Sequence, residues 1–260
     1  MTFSRCRLTR IPGRHRPYRY DRIAPGLAIF KTGAISILMR FLYHLPLSPY
    51  CRKVRLVLAE KRLPVELRHE KIWERRPEYL ALNPAGTVPT LLEDNGLAVP
   101  ESSVICEYIE EAYPDSTLLG STLAARVEAR RLVAWFDGPF ADAVTTNLVR
   151  EKYLKRISSS GQPDAAALRI SYGNLRDHMG YIGWLAETRS FLAGETMTLA
   201  DLAAAAHISV LDFLGDIDWS QHGHTRDWYA RIKSRPSFRS LLTDRVPGMQ
   251  PPEHYVNLDF

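Results

Sequence analysis

Cysteine is scarce. The three in 260 residues, Cys6, Cys51 and Cys106, are too few and too widely spaced for a disulfide framework, and they suit a reducing compartment. Long apolar runs are also missing. A membrane span needs about 20 consecutive apolar residues; the best candidate, "GLAIFKTGAISILM", is shorter and is broken by Lys31, so no direct membrane insertion is expected. Metal-ligand spacing is absent: His44, His178 and His207 form no HxxxH or HxxE pair, and no metal is expected. There are no internal repeats and no low-complexity segment. The body of the chain also lacks the basic excess that the overall charge of +5 suggests. Residues 1–39 alone carry +7, which leaves −2 on residues 40–260. Composition therefore gives no argument for a nucleic-acid partner.

What is present is a chain that is 45% hydrophobic, enough to bury a core, behind an Arg-rich, acid-poor leader at 1–39. The leader reads as a targeting segment, a basic arm, or a disordered extension with Met39 as the first residue of the domain proper; the extension is the expectation. After it, "RFLYHL" at 40–45 has strand composition. Ser48 and Pro49 are a good N-cap and first residue for a helix over 49–61, whose apolar residues recur at helical spacing. "PVELRHEKI" at 64–72 is a second strand, and "RPEYLALNP" a short helix or turn. "NG" at 95–96 between two apolar runs signals a hairpin, and a helix follows over 103–113, capped by Ser102. Strand, helix, strand, hairpin and helix make a small α/β domain over 40–118.

From 119 to 245 the pattern is helical. Gly138-Pro139 is expected to kink or split the first long helix. Gly173, Gly180 and Gly183 are expected to weaken the second or, instead, to permit close helix packing. Thr198 and Asp201 have the spacing of a capping box at the start of a third helix. Residues 246–260 form a proline-rich tail ending in "EHYVNLDF". Fully extended from Pro247 it would reach about 40–50 Å. Folded back, it would cover apolar surface on the helical domain. Both readings are open.

Five segments in this order, "SPYCRKVR", "NPAGTVPTL", "ESSVICEYIEEAYP", "MTLADLAAA" and "WYARIKSRPSFRSLL", resemble the glutathione S-transferase family over residues 41–242. The resemblance implies α/β plus all-α architecture, a thioredoxin-like domain followed by a helical-bundle domain. It implies a cis Pro89 that turns the Val88 backbone toward the cysteinyl part of glutathione. Glu101 and Ser102 would face the γ-glutamyl amine and carboxylate. Ser48 would occupy the position that stabilises the glutathione thiolate, although its role as a helix cap explains it equally. Cys51, three residues on, is expected to pack inward and be inert.

The ending "SRPSFRSLLTDRVPGMQPPEHYVNLDF", with "SVLDFLGDIDW" and "WFDGPFADAVTTNLVREKYLKRI", resembles more narrowly the FtsZ-binding, glutathione S-transferase-like division proteins of alphaproteobacteria, from Met39 to Phe260. That resemblance implies a cytoplasmic homodimer at the division site that binds FtsZ filaments and connects them to septal cell-wall synthesis through the tail. It implies no required cofactor, with glutathione at most a weak ligand. Trp73 among charges and the helix-end charges Arg150, Glu151, Lys155 and Arg156 are expected to rim the cleft as a partner-binding surface. Tyr255, Leu258, Asp259 and Phe260 are expected to anchor the tail to its partner. Two alternatives stand beside the non-catalytic adaptor: a working glutathione transferase or isomerase using Ser48, and a chaperone or redox protein with an exposed, low-pKa Cys51.

Overall fold

The computed structural model describes residues 39–258. The basic leader through residue 38, and with it Cys6, and the tail residues Asp259 and Phe260 lie outside the described residues.

Strand β1 (Phe41–His44) runs into helix α1 (Pro49–Glu60), and the chain returns as β2 (Glu66–His69) parallel to β1. A 3-10 turn at Ile72–Glu74 and the short α2 (Pro77–Leu82) lead to β3 (Thr90–Leu92) and β4 (Ala98–Pro100). The sheet order is β2-β1-β3-β4, with β3 antiparallel to both β1 and β4. The expected hairpin is there, its turn held by the Asn95 side chain accepting from the Leu97 N–H at 2.9 Å. The Val88–Pro89 bond is cis. Helix α3 (Ser102–Ala112) completes the domain. Its N-cap is Glu101, not Ser102, which is instead the first helical residue, and Glu101 makes no side-chain cap bond.

The helical domain opens with one long run. Helix α4 (Leu123–Trp135) passes into a π-helical stretch (Phe136–Thr145), then α5 (Thr146–Val149), a second π-helical stretch (Arg150–Leu154) and α6 (Lys155–Ile157). Gly138-Pro139 therefore does not split the helix. Phe136, Phe140, Ala141 and Val144 on either side of the proline are all fully buried, so both halves pack into the same core. The wider π register gives the proline ring room inside the run.

Helix α7 (Ala165–Thr188) is uninterrupted. Its glycines do not serve close packing as expected: a Cβ at Gly173 or Gly180 would meet nothing within 4 Å, and one at Gly183 would meet only Thr225. Helix α8 (Leu199–Leu214) is the buried centre of the domain, and Thr198 with Asp201 forms the capping box. Asp201 also accepts from the Leu192 N–H at 2.9 Å and the Trp228 indole at 3.0 Å, tying three segments to one carboxylate. Helices α9 (Gly223–Lys233) and α10 (Arg239–Leu242) follow, with a 3-10 turn at Pro236–Phe238 between them.

Helix α1 packs along α8, and this contact joins the two domains. It is ionic as well as apolar. Arg52, Lys53 and Arg55 are all buried. Arg52 donates to the Pro46 carbonyl at 2.7 Å and to Ser209 at 2.9 Å. Arg52 and Arg55 both pair with Asp244, at 3.2 and 2.9 Å, and Lys53 pairs with Asp137. The carboxylates offset the cost of removing these cations from water.

Candidate functional site

A cleft of about 270 Å³ lies between the domains. The thioredoxin-like side supplies Leu45, Ser48, Tyr50, Ile72, Thr87, Val88 and Glu101; the helical side supplies Thr145, Thr146, Val149, Tyr153 and Leu154. The β1–α1 turn, the loop before Pro89 and the start of α3 meet here because all three emerge from one end of the sheet.

Ser48 sits half-buried in the cleft as the N-cap of α1, its Oγ accepting from the Cys51 N–H at 3.3 Å. Cys51 is fully buried, and burial pushes its thiol up to about 11. The thiol is protonated at neutral pH, which removes the redox reading that needed an exposed, acidic Cys51. Glu101 holds a left-handed backbone conformation, φ +72°, which a residue with a Cβ adopts only when its surroundings fix it. The Glu101 amide donates to the Pro89 carbonyl at 3.3 Å, and its Oε1 accepts from the Thr87 hydroxyl at 3.0 Å. Ser102, next to it, is buried.

Behind the cleft wall lies a polar chain that the sequence reading did not find. Thr145 Oγ1 is 2.8 Å from His207 Nδ1, and His207 Nε2 is 3.4 Å from Asp137, which pairs with Lys53. Burial lowers the His207 pKa, so the ring is neutral. Asp137 would be raised by burial, but the His207 hydrogen bond and the Lys53 charge hold it below its usual range. No local spacing signals this chain, because its members come from α1, the first π-helical stretch and α8.

Trp73 is 36% exposed beside Ile72, which lines the cleft. The Arg150 side chain is 55% exposed. Glu151 is not a surface group as expected. It is buried and accepts from Lys155, Arg150 and the Asp164 N–H, which together hold its carboxyl down to about 2. Lys155 is spent on Glu151 and the Gln162 carbonyl, and Arg156 on the Gly248 carbonyl of the tail. Of the expected charged face, Arg150 keeps an exposed side chain but is itself paired with Glu151 at 2.9 Å.

The tail folds back onto the helical domain, the second of the two open readings. Tyr255 is fully buried against Phe213, their rings 5.2 Å apart edge to face, and its hydroxyl donates to the Leu241 carbonyl at 3.1 Å. Lys233 donates to the His254 carbonyl at 2.9 Å, and His254 Nε2 lies 3.0 Å from Asp212. Gly215, in the left-handed region at φ +71°, ends α8 and leaves room for Pro252, which a Cβ would approach at 3.2 Å. Tyr255 is therefore an internal anchor, whereas Val256 and Leu258 remain exposed at 55% and 36%.

A four-stranded thioredoxin-like sheet, a helical domain behind it and a cleft at the helix start after the cis-proline define the glutathione S-transferase class, and the chain belongs to that family. Models of the glutathione S-transferase N-terminal and C-terminal domains match residues 42–117 and 174–236. Within the family, the chain is 48% identical over 224 residues to FtsZ-localized protein A of Caulobacter vibrioides, covering 85% of this chain and 98% of that protein. The solved structure of FzlA from C. crescentus superposes with a TM-score of 0.83 at 48% identity, over 85% of this chain and all of that one. A glutathione S-transferase from Rhodospirillum rubrum superposes with a TM-score of 0.84 at 51% identity, with the same coverage.

Proposed function

We propose that this chain is a non-catalytic, dimeric adaptor that binds FtsZ filaments and couples them to septal cell-wall synthesis at the division site in the cytoplasm. The observation that carries the reading is the 48% identity to FtsZ-localized protein A along nearly the whole of that protein. Trp73 and Arg150, both exposed, supply an aromatic and a cation for an acidic filament surface. The exposed side chains of Val256 and Leu258, together with Asp259 and Phe260, which lie outside the described residues, supply the second contact. Val104 on α3 and Leu123 and Val127 on α4 are exposed apolar side chains on helices joined by the Arg130–Glu107 pair, and they suit a homodimer face. Pelleting with FtsZ and GTP tests the reading. Trp73→Ala and Arg150→Ala should each lower co-pelleting while leaving the fold intact.

A second reading, glutathione conjugation through Ser48, is favoured by one observation: Ser48 lies in the cleft lining. It requires thiol conjugation to an electrophile that Ser48→Ala abolishes.

A further inference from the structure

The buried anchor of the tail and the Arg150 rim share one small packing unit. Tyr255 and Val246 from the tail sit in a hydrophobic cluster with Leu47, Val149, Tyr153 and Phe213, apart from the main core. Val149 and Tyr153 are buried, and they bracket Arg150 along the second π-helical stretch. Turns of this kind are rare and recur at functional sites; this one has its apolar side seated in a cluster that the tail completes. Arg156, just beyond the stretch, donates to the Gly248 carbonyl, so the tail meets this run at two points. Leu47 stands in the turn before Ser48, and Arg52 ties that turn to the same unit. The Arg52 guanidinium lies 5.8 Å from the Phe213 ring centre and 6.0 Å from that of Tyr255, and it donates to the Pro46 carbonyl at 2.7 Å. Arg150 itself is oriented by the buried Glu151, at 2.9 Å.

We infer that the docked tail is a positioning clamp for filament binding. Tyr255 in its seat fixes the segment from Val149 to Tyr153, and Arg150 is thereby presented to the filament. Tyr255 is a positioning residue: it acts through Arg150 and touches no partner itself. The exposed side chains of Val256 and Leu258 lie one and three residues past this anchor. About 10 Å of extended chain separates Leu258 from Tyr255, so a partner that grips the tail end pulls on the anchor directly. A partner that leaves Tyr255 seated permits both contacts at once, and one that withdraws it releases the filament. Coupling between two binding sites is reciprocal, so filament binding tightens the docking of the tail. The inference rests on the adaptor reading and supplies its regulation.

The test is co-pelleting of the full-length protein with FtsZ and GTP, read as affinity, with amide hydrogen exchange as an independent readout. Tyr255→Ala is expected to weaken co-pelleting about tenfold, within the usual range of coupling between sites. Tyr255→Phe, which keeps the ring, is expected to restore it. In double-mutant cycles the Tyr255→Ala loss is expected to be largely absent in the Arg150→Ala background and fully present in the Trp73→Ala background. Exchange in Tyr255→Ala is expected to rise over 149–157 and not over the β3–β4 hairpin, whereas general destabilisation raises both. In the natural protein, which needs no variant to fold, filaments are expected to slow exchange over 246–255. Natural protein that does not co-pellet removes the adaptor reading and the inference together. Natural protein that co-pellets overturns the inference alone, and leaves the adaptor reading standing, on any of three results: Tyr255→Ala pelleting equally well, additive losses for Tyr255 and Arg150, or no slowing over 246–255.

Discussion

Burial decides the chemistry of individual side chains here more than spacing does. Cys51 stands in the first turn of a helix, where the dipole favours a thiolate, yet burial wins and raises it to about 11, with Cys106 at about 12. Iodoacetamide at neutral pH should therefore leave both unlabelled in the native protein and modify both in urea, as read by peptide mass mapping. His44 is moved the other way: burial and the Arg55 guanidinium push it down to about 4, against a pull from Asp244. Its unfolded value is about 6.5, so the unfolded chain takes up the proton first as the pH falls. The stability that neutral His44 contributes is complete above about pH 6.5 and is lost as the pH falls toward 4. His44→Leu should consequently gain on the natural protein by about 1–3 kcal/mol in urea unfolding between pH 7.5 and pH 4.5. Ser48 as an N-cap was legible from its neighbour Pro49. The burial of Glu151 was not, because its partner, the Asp164 N–H, arrives from a loop thirteen residues on.

At the scale of elements, sequence reasoning succeeded where the determinant is local. The Asn-Gly hairpin, the capping box of α8 and the start of α1 each depend on residues within one turn of each other. Thr198→Ala should accordingly cost about 1 kcal/mol in chemical unfolding. It left alternatives open where distant burial meets a local breaker: of the kink or split expected at Gly138-Pro139 the split does not occur, because the core on both sides of Pro139 carries the helical run through it. The tail belongs to the same class. Its prolines suggest an extended arm, but Tyr255 shares a cluster with Leu47, Val149, Tyr153 and Phe213. Arg52, whose guanidinium lies 6.0 Å from the Tyr255 ring centre, also holds the Pro46 carbonyl at the cleft's edge. Val149 and Tyr153 line the cleft, so the docked tail is part of the wall behind it. Tyr255→Ala should destabilise the protein by about 3–5 kcal/mol, measured by urea unfolding. A loss below about 1 kcal/mol would mean that the tail is not docked in solution.

For the whole molecule, a family fold is shared by enzymes and binding proteins alike, so function rests on surfaces that the fold does not dictate. The adaptor reading uses three of them: the Trp73 and Arg150 rim, the exposed end of the tail, and the apolar face of α3 and α4. The last should make the protein a dimer by light scattering, and Val127→Asp, which puts a charge among exposed apolar side chains, should shift it to monomer. The central claim is filament binding, and pelleting measures it directly. Purified full-length protein should sediment with FtsZ assembled in GTP, and not with FtsZ in GDP, and Trp73→Ala should weaken that co-sedimentation about tenfold. Full-length, folded protein that stays in the supernatant at filament concentrations well above micromolar would contradict the account.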